Sequence, residues 1–173
     1  MTYPTLIENL KAEVAAHRAG TKAWLDATKL VGRAQTVHRF YKEFVASEEL
    51  QEILDIIIQC DDAMEIISQQ KVAEFMVLNG GQLDGATLAS VMSAWRMEED
   101  PNSDLFCELR VQLDEVKMSQ KEQLGCFEDK QVKFVWAALY GQRDLDKSQG
   151  QTEYQSFGSV ARSIRSITLG DEA

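Results

Sequence analysis

Thirty-two residues from Ser47 to Leu78, SEELQEILDIIIQCDDAMEIISQQKVAEFMVL, constrain the fold of this chain more than any other stretch. Leu50, Ile53, Leu54, Ile57, Met64, Ile67 and Leu78 recur at the three-and-four spacing that lines one face of an α-helix, and Ile56 and Ile58 widen the stripe. A helix apolar around most of its girth must be covered on several sides, so Leu50 to Ile58 is expected at the centre of the core. Ser47 ahead of Glu48 and Glu49 is a helix start, because the hydroxyl caps free N–H groups and the carboxylates oppose the positive end of the dipole. Asn79-Gly80-Gly81 is a matching stop. One helix over the whole stretch would be about 45 Å long, against about 40 Å for a compact domain of this size. A break is therefore expected at Cys60-Asp61-Asp62, where Asp62 and Glu65 resemble a capping pair. The expectation is a buried central helix pair, or one bent helix.

A chain of 173 residues fits one domain and can bury a core without disulfides or metal. Its apolar runs are far shorter than the roughly 20 residues needed to span a bilayer, so no membrane role is expected. No basic-then-apolar leader opens the sequence. Cys60, Cys107 and Cys126 are odd in number and form no CxxC, which predicts buried reduced thiols and a cytoplasmic, reducing compartment for a soluble protein.

The net charge of −10 is unevenly placed: residues 1–46 carry +3, residues 47–104 carry −11, and residues 105–173 carry −2. Such asymmetry orients partners. It excludes general duplex-DNA binding, which needs an excess of Lys and Arg, but leaves room for a local basic patch.

Taken in order, the chain reads as helices throughout. Thr5 to Ala19 carries Leu6, Leu10 and Val14 on one face and meets Gly20. Thr21 caps a segment up to Gly32, and Arg33 to Ala46 carries Val37, Phe40, Tyr41 and Phe44; these first helices are partly continuous if the glycines are tolerated, at about 1 kcal/mol each. Thr87 opens a short helix through Trp95, and Glu98 to Asn102 is a breaker around Pro101. Ser103 to Leu124, with Leu105, Leu109, Val111, Leu113 and Val116, and Glu128 to Tyr140, with Val132, Val135, Trp136 and Leu139, follow. No period-two run of strand length occurs. The fold expected is all-α: a single-domain bundle of seven or eight helices, with a core over 1–141, a polar linker over 142–152 and an amphipathic, basic C-terminal helix over 153–173.

Two basic features stand out. Lys11, Arg18, Lys22, Lys29 and Arg33 follow a seven-four-seven-four spacing that stays on one face if the helix runs through Gly20. They form either a stripe for phosphate or an acidic surface, or simply a solvated face. In the tail, Tyr154, Phe157, Val160, Ile164 and Ile167 repeat at helical spacing, with Arg162 and Arg165 the only charges between residues 154 and 170. Folding back on its own core is the ordinary fate of such a helix. Docking on the acidic block of a neighbour, through Glu48, Glu49, Glu52, Asp55, Asp61, Asp62 and Glu65, is the alternative, and a head-to-tail contact of that kind closes rings or grows filaments.

The signatures GxxxxGK[ST], GxGxxG, HExxH and GxSxG are absent. His17 and His38 are the only histidines, too few for a metal site of convergent ligands, so no catalytic residue, metal or cofactor is assigned. All three cysteines and the aromatic residues Trp24, Trp95, Phe134 and Trp136 are expected in or just under the core. Glu49-x-x-Glu52 and Asp62-x-x-Glu65 place carboxylate pairs close enough to share a hard cation. With Glu48, these pairs loosely resemble the acidic helix motifs of the all-α nucleotide pyrophosphohydrolases, which implies Mg²⁺ on a triphosphate held between two helices. This sequence departs from that pattern in the reversed order and short gap of its second pair.

Three functional expectations result. The first is a non-enzymatic interaction or assembly protein, an adaptor, chaperone-like binder or self-assembling subunit, using segregated charged faces on a protein partner or on itself as a homo-oligomer. The second is an acidic protein acting on nucleic-acid machinery, as a mimic or through its local basic patch. The third is the Mg²⁺-dependent hydrolase.

Overall fold

The computed structural model describes residues 2–78, 103–151 and 155–170, and every described element is a helix. Six helices occur among these residues: α1 (Tyr3–Ala16), α2 (Lys22–Phe44), α3 (Glu48–Leu78), α4 (Ser103–Leu124), α5 (Asp129–Ser148) and α6 (Phe157–Gly170). The expected stop at residues 79–81, the short helix Thr87 to Trp95 and the breaker at 98–102 lie outside the described residues. None of the described helices is long and apolar enough to cross a membrane.

The first break falls where glycine is required. The Gly20 backbone has φ +87°, a left-handed conformation that glycine adopts without a Cβ clash. The Thr21 hydroxyl then ties the turn, donating to the Arg18 carbonyl at 2.7 Å and accepting the Trp24 N–H at 3.3 Å as the α2 N-cap. Gly32, by contrast, stays inside α2, since the apolar phase of Ala34, Val37 and Phe40 carries the helix through it. The two segments expected at 21–32 and 33–46 are therefore one helix. At its end, Gln51 Nε2 donates to the Phe44 and Val45 carbonyls, and Ser47 Oγ accepts the Leu50 N–H at 3.2 Å to start α3.

The expected break at Cys60-Asp61-Asp62 is not present: α3 is one helix of 31 residues. Aspartate lowers helix propensity by no more than about 0.7 kcal/mol, and Asp61 and Asp62 are only half-buried, so nothing forces the chain to turn there. The chain is not one compact body that a long helix would overrun but divides into two compact units, one of residues 1–58 and 124–173 and the other of residues 59–123. Among the described residues the count is six, with α2 and α3 each continuous where two helices were expected.

In the first unit, α2 packs along α1 and α5. Phe40, Phe44, Leu50, Ile53, Leu54, Ile57 and Ile58 bury against Val135, Ala138 and Leu139 of α5 and Val160, Ala161 and Ile164 of α6. A smaller cluster joins Ile7 and Leu10 to Ala34, Val37 and Leu145. The segment Leu50 to Ile58 lies in the core as the sequence predicts. The residues expected to start a linker, 142–148, are instead the last turns of α5, and α6 folds back on the core of its own unit.

In the second unit, Leu109 is fully buried and Lys71 is nearly so, with its side chain 7 % exposed. The Lys71 ammonium donates to Glu108 at 2.7 Å and to Glu74 at 3.2 Å. The Glu108 hydrogen bond holds the Lys71 amine above lysine's ordinary pKa of 10.5 against the opposing effect of burial.

Candidate functional site

Some of the charged groups that the sequence segregates pair with one another inside the fold. Arg165 Nη1 meets Asp55 Oδ1 at 2.7 Å, so the acidic block and the basic tail pair within one chain. Arg33 Nε pairs with Asp144 at 2.8 Å, and Lys11 lies 3.6 Å from Glu8 on its own helix. Glu49 accepts the N–H of Glu128, the N-cap of α5, placing a carboxylate at that helix's positive end. Arg162 is half-buried on α6 and holds an interaction of its own.

The seven-four-seven-four basic stripe does not form as one face. Helix α1 ends at Ala16, Arg18 lies in the turn, and only Lys22, Lys29 and Arg33 share α2. Lys22 and Lys29 are exposed beside Leu25, which is 46 % exposed.

The carboxylates are likewise divided. Glu48 and Glu52 are exposed, and Glu49 and Asp55 are engaged as above. Asp61, Asp62 and Glu65 bring one oxygen each within 4.8 Å of the others, and Asp61 and Asp62 already interact with neighbouring groups. The arrangement implied by the pyrophosphohydrolase resemblance needs two facing helices. Here both pairs lie on the one helix α3.

Two thiols expected in the core are on the surface: Cys107 and Cys126 are exposed, whereas Cys60 is buried and burial raises its pKa. Trp24 and Trp136 are half-buried, Phe134 is buried, and Trp95 lies outside the described residues.

No family model, curated protein or solved structure matches this chain. The site must be read from its own geometry.

Two features stand out that sequence reasoning missed. One is an apolar face on α4: Val111 is 58 % exposed and Met118 is 65 % exposed. Seven residues apart, they lie about 20° from each other around the helix, with exposed Cys107 on the same side. The period of buried Leu109 with half-buried Leu113 and Val116 already puts Val111 out of phase. The same unit exposes Ile66 of α3 at 56 %.

The other is a polar relay in the first unit. Tyr3 Oη donates to Gln142 Oε1, Tyr41 Oη lies 3.5 Å from the same oxygen, and Gln142 Nε2 donates to Asp146 Oδ1 at 2.9 Å. Burial drives the pKa of both tyrosines up, Tyr41 far beyond the ordinary range, so both hydroxyls stay protonated and act as donors. Nothing local in the sequence signals this group, because Tyr41 and Gln142 are 101 residues apart.

Proposed function

We propose that the protein is a non-enzymatic helical interaction protein whose docking face is the exposed side of α4, and that its partner is a protein helix carrying apolar side chains rimmed by Lys and Arg. The observation that carries this reading is the pair Val111 and Met118, two large apolar side chains exposed in register on a helix whose opposite face holds the buried Leu109. Amphipathic helices dock through anchors at this spacing. The charge of the partner follows from the rim: α4 bears five carboxylates against three cations, within a chain of net charge −10. Adaptor, chaperone-like binder and self-assembling subunit are three forms of the same activity. Compartment and partner belong to this proposal too, a reducing cytoplasm being compatible with three free thiols.

The test is fluorescence polarisation with two designed amphipathic helical peptides of equal apolar face, one rimmed by lysine and one by glutamate, at physiological salt. The lysine peptide should bind and the glutamate peptide should not. Val111→Gln with Met118→Gln, which leaves the net charge unchanged, should weaken binding at least about tenfold, or about 1.4 kcal/mol. Equal binding of the two peptides, or full retention by the double variant, sinks the reading. Light scattering on the same samples reports a homo-oligomer, and a high 260/280 nm absorbance ratio on that peak would instead bring forward nucleic-acid binding through Arg18, Lys22 and Lys29.

A further inference from the structure

A cavity of about 460 Å³ opens in the first unit between α2, the C-terminal end of α5 and α6. That is within the roughly 300–1,000 Å³ range of small-molecule sites. Polar residues line it, among them Gln142, Gln149, Gln155, Ser163 and Asp146, together with Tyr41. No Lys or Arg lines it among the described residues.

The mouth is built rather than incidental. Helix α5 closes with the N–H of Gln151 donating to the Asp146 carbonyl at 3.0 Å and that of Gly150 to the Lys147 carbonyl at 3.2 Å. This is the double closure in which a glycine just past the helix takes the left-handed conformation, and Gly150 has φ +97°. The backbone of 149–151 is thereby held at the rim. The relay from Tyr3 through Gln142 holds the carboxylate: Asp146 Oδ1 accepts from Gln142, and its second oxygen has no partner among the described residues.

The electrostatics select one sign of ligand. The negative end of the α5 dipole and the Asp146 carboxylate both favour a cation, and no lining cation among the described residues opposes them. The amides and the serine hydroxyl suit a polar body rather than a bare ion or an apolar tail. We propose that this cavity binds a small organic ammonium ion carrying hydroxyl or amine groups of its own, with Asp146 as the counter-ion and the glutamine amides on the ligand's body. The site is independent of the α4 face and belongs to the other compact unit.

Glucosamine and glucose share a ring and differ by an ammonium in place of one hydroxyl. Titrated into the full chain at mildly acidic pH and followed by amide NMR, glucosamine should give saturable shifts at Gln149, Gly150 and Gln151, with glucose at least about tenfold weaker. Putrescine, a second ammonium probe, should compete for the same resonances. Asp146→Asn keeps an acceptor for Gln142 and should weaken glucosamine at least about tenfold while leaving the response to glucose unchanged. Equal binding of the two sugars by the native chain overturns the proposal without reference to any variant. Absence of a saturable response to either ammonium probe, or tighter binding of glucose 6-phosphate, overturns it as well.

Discussion

Two glycines on neighbouring helices should answer the same substitution with opposite signs. At Gly141, inside α5, an added Cβ would lie 2.9 Å from Val37 Cγ2 and 3.3 Å from the Arg33 carbonyl oxygen. Val37 is fully buried and β-branched, so its methyl cannot swing aside, and the Arg33 backbone blocks retreat in the other direction. Forcing a methyl into such a contact costs typically 1–3 kcal/mol, here about 2–3, while alanine returns about 1 kcal/mol of helix propensity. Gly141→Ala should therefore destabilise by about 1–2 kcal/mol. Gly32, inside α2, has nothing within 4 Å of its added Cβ, so Gly32→Ala should stabilise by about 0.5–1 kcal/mol. For a chain of this size the two variants should melt roughly 3–12 °C apart, read by circular dichroism with urea midpoints as a check. In a Val37→Ala background most of the Gly141→Ala penalty should vanish, a coupling of about 1–2 kcal/mol. If Gly141→Ala melts at or above the native temperature, the close approach of α2 and α5 at this point is wrong.

Three further outcomes follow from the packing and the ion pairs. Ile164 is fully buried on α6, so Ile164→Ala should cost about 2–5 kcal/mol in urea unfolding, whereas a detached tail would lose almost nothing. The Arg165–Asp55 pair is nearly half exposed on both sides, so Asp55→Asn should cost only about 0.2–1 kcal/mol, and the difference should shrink in high salt. Lys71 is held above its ordinary pKa of 10.5, which makes its contribution complete below that pH and lost as pH rises through the folded value; the native chain should lose stability above that pH more steeply than Lys71→Met. Parallel alkaline slopes for the two chains would refute this account of Lys71.

What was legible in the sequence was whatever repeats at helical spacing. Leu50 to Ile58 is so dense in aliphatic residues that only the core can hold it, and the Thr21 and Ser47 caps lie where hydroxyls precede an apolar phase. Glycine was ambiguous, because the same residue ends a helix at Gly20 and is passed through at Gly32. The deciding signal is the continuing phase of Ala34 and Val37 after the second, together with the capping threonine after the first. The Asp61-Asp62 break misled because a pair of carboxylates reads as a boundary, yet a half-buried helix position tolerates them. Val111 reads as one more apolar residue beside Leu109 and Leu113, yet its spacing puts it on the opposite side of the helix from their stripe. The relay of Tyr3, Tyr41, Gln142 and Asp146 left no trace, since its members are joined only by the fold.

The internal use of charge decides what the surface offers. Arg33, Arg165 and Lys71 each pair with a carboxylate of their own unit, which removes one charge of each sign and leaves the net charge of −10 on the remaining groups. The remaining field is negative and long-ranged, the exposed side chains of Val111 and Met118 are short-ranged, and the two act on different rates. A basic amphipathic partner should therefore associate more slowly as salt rises, with dissociation little changed. Val111→Gln with Met118→Gln should do the reverse, speeding dissociation and leaving the association rate and its salt dependence intact. If removing the two apolar side chains slows association instead, the face on α4 is not where the partner is held.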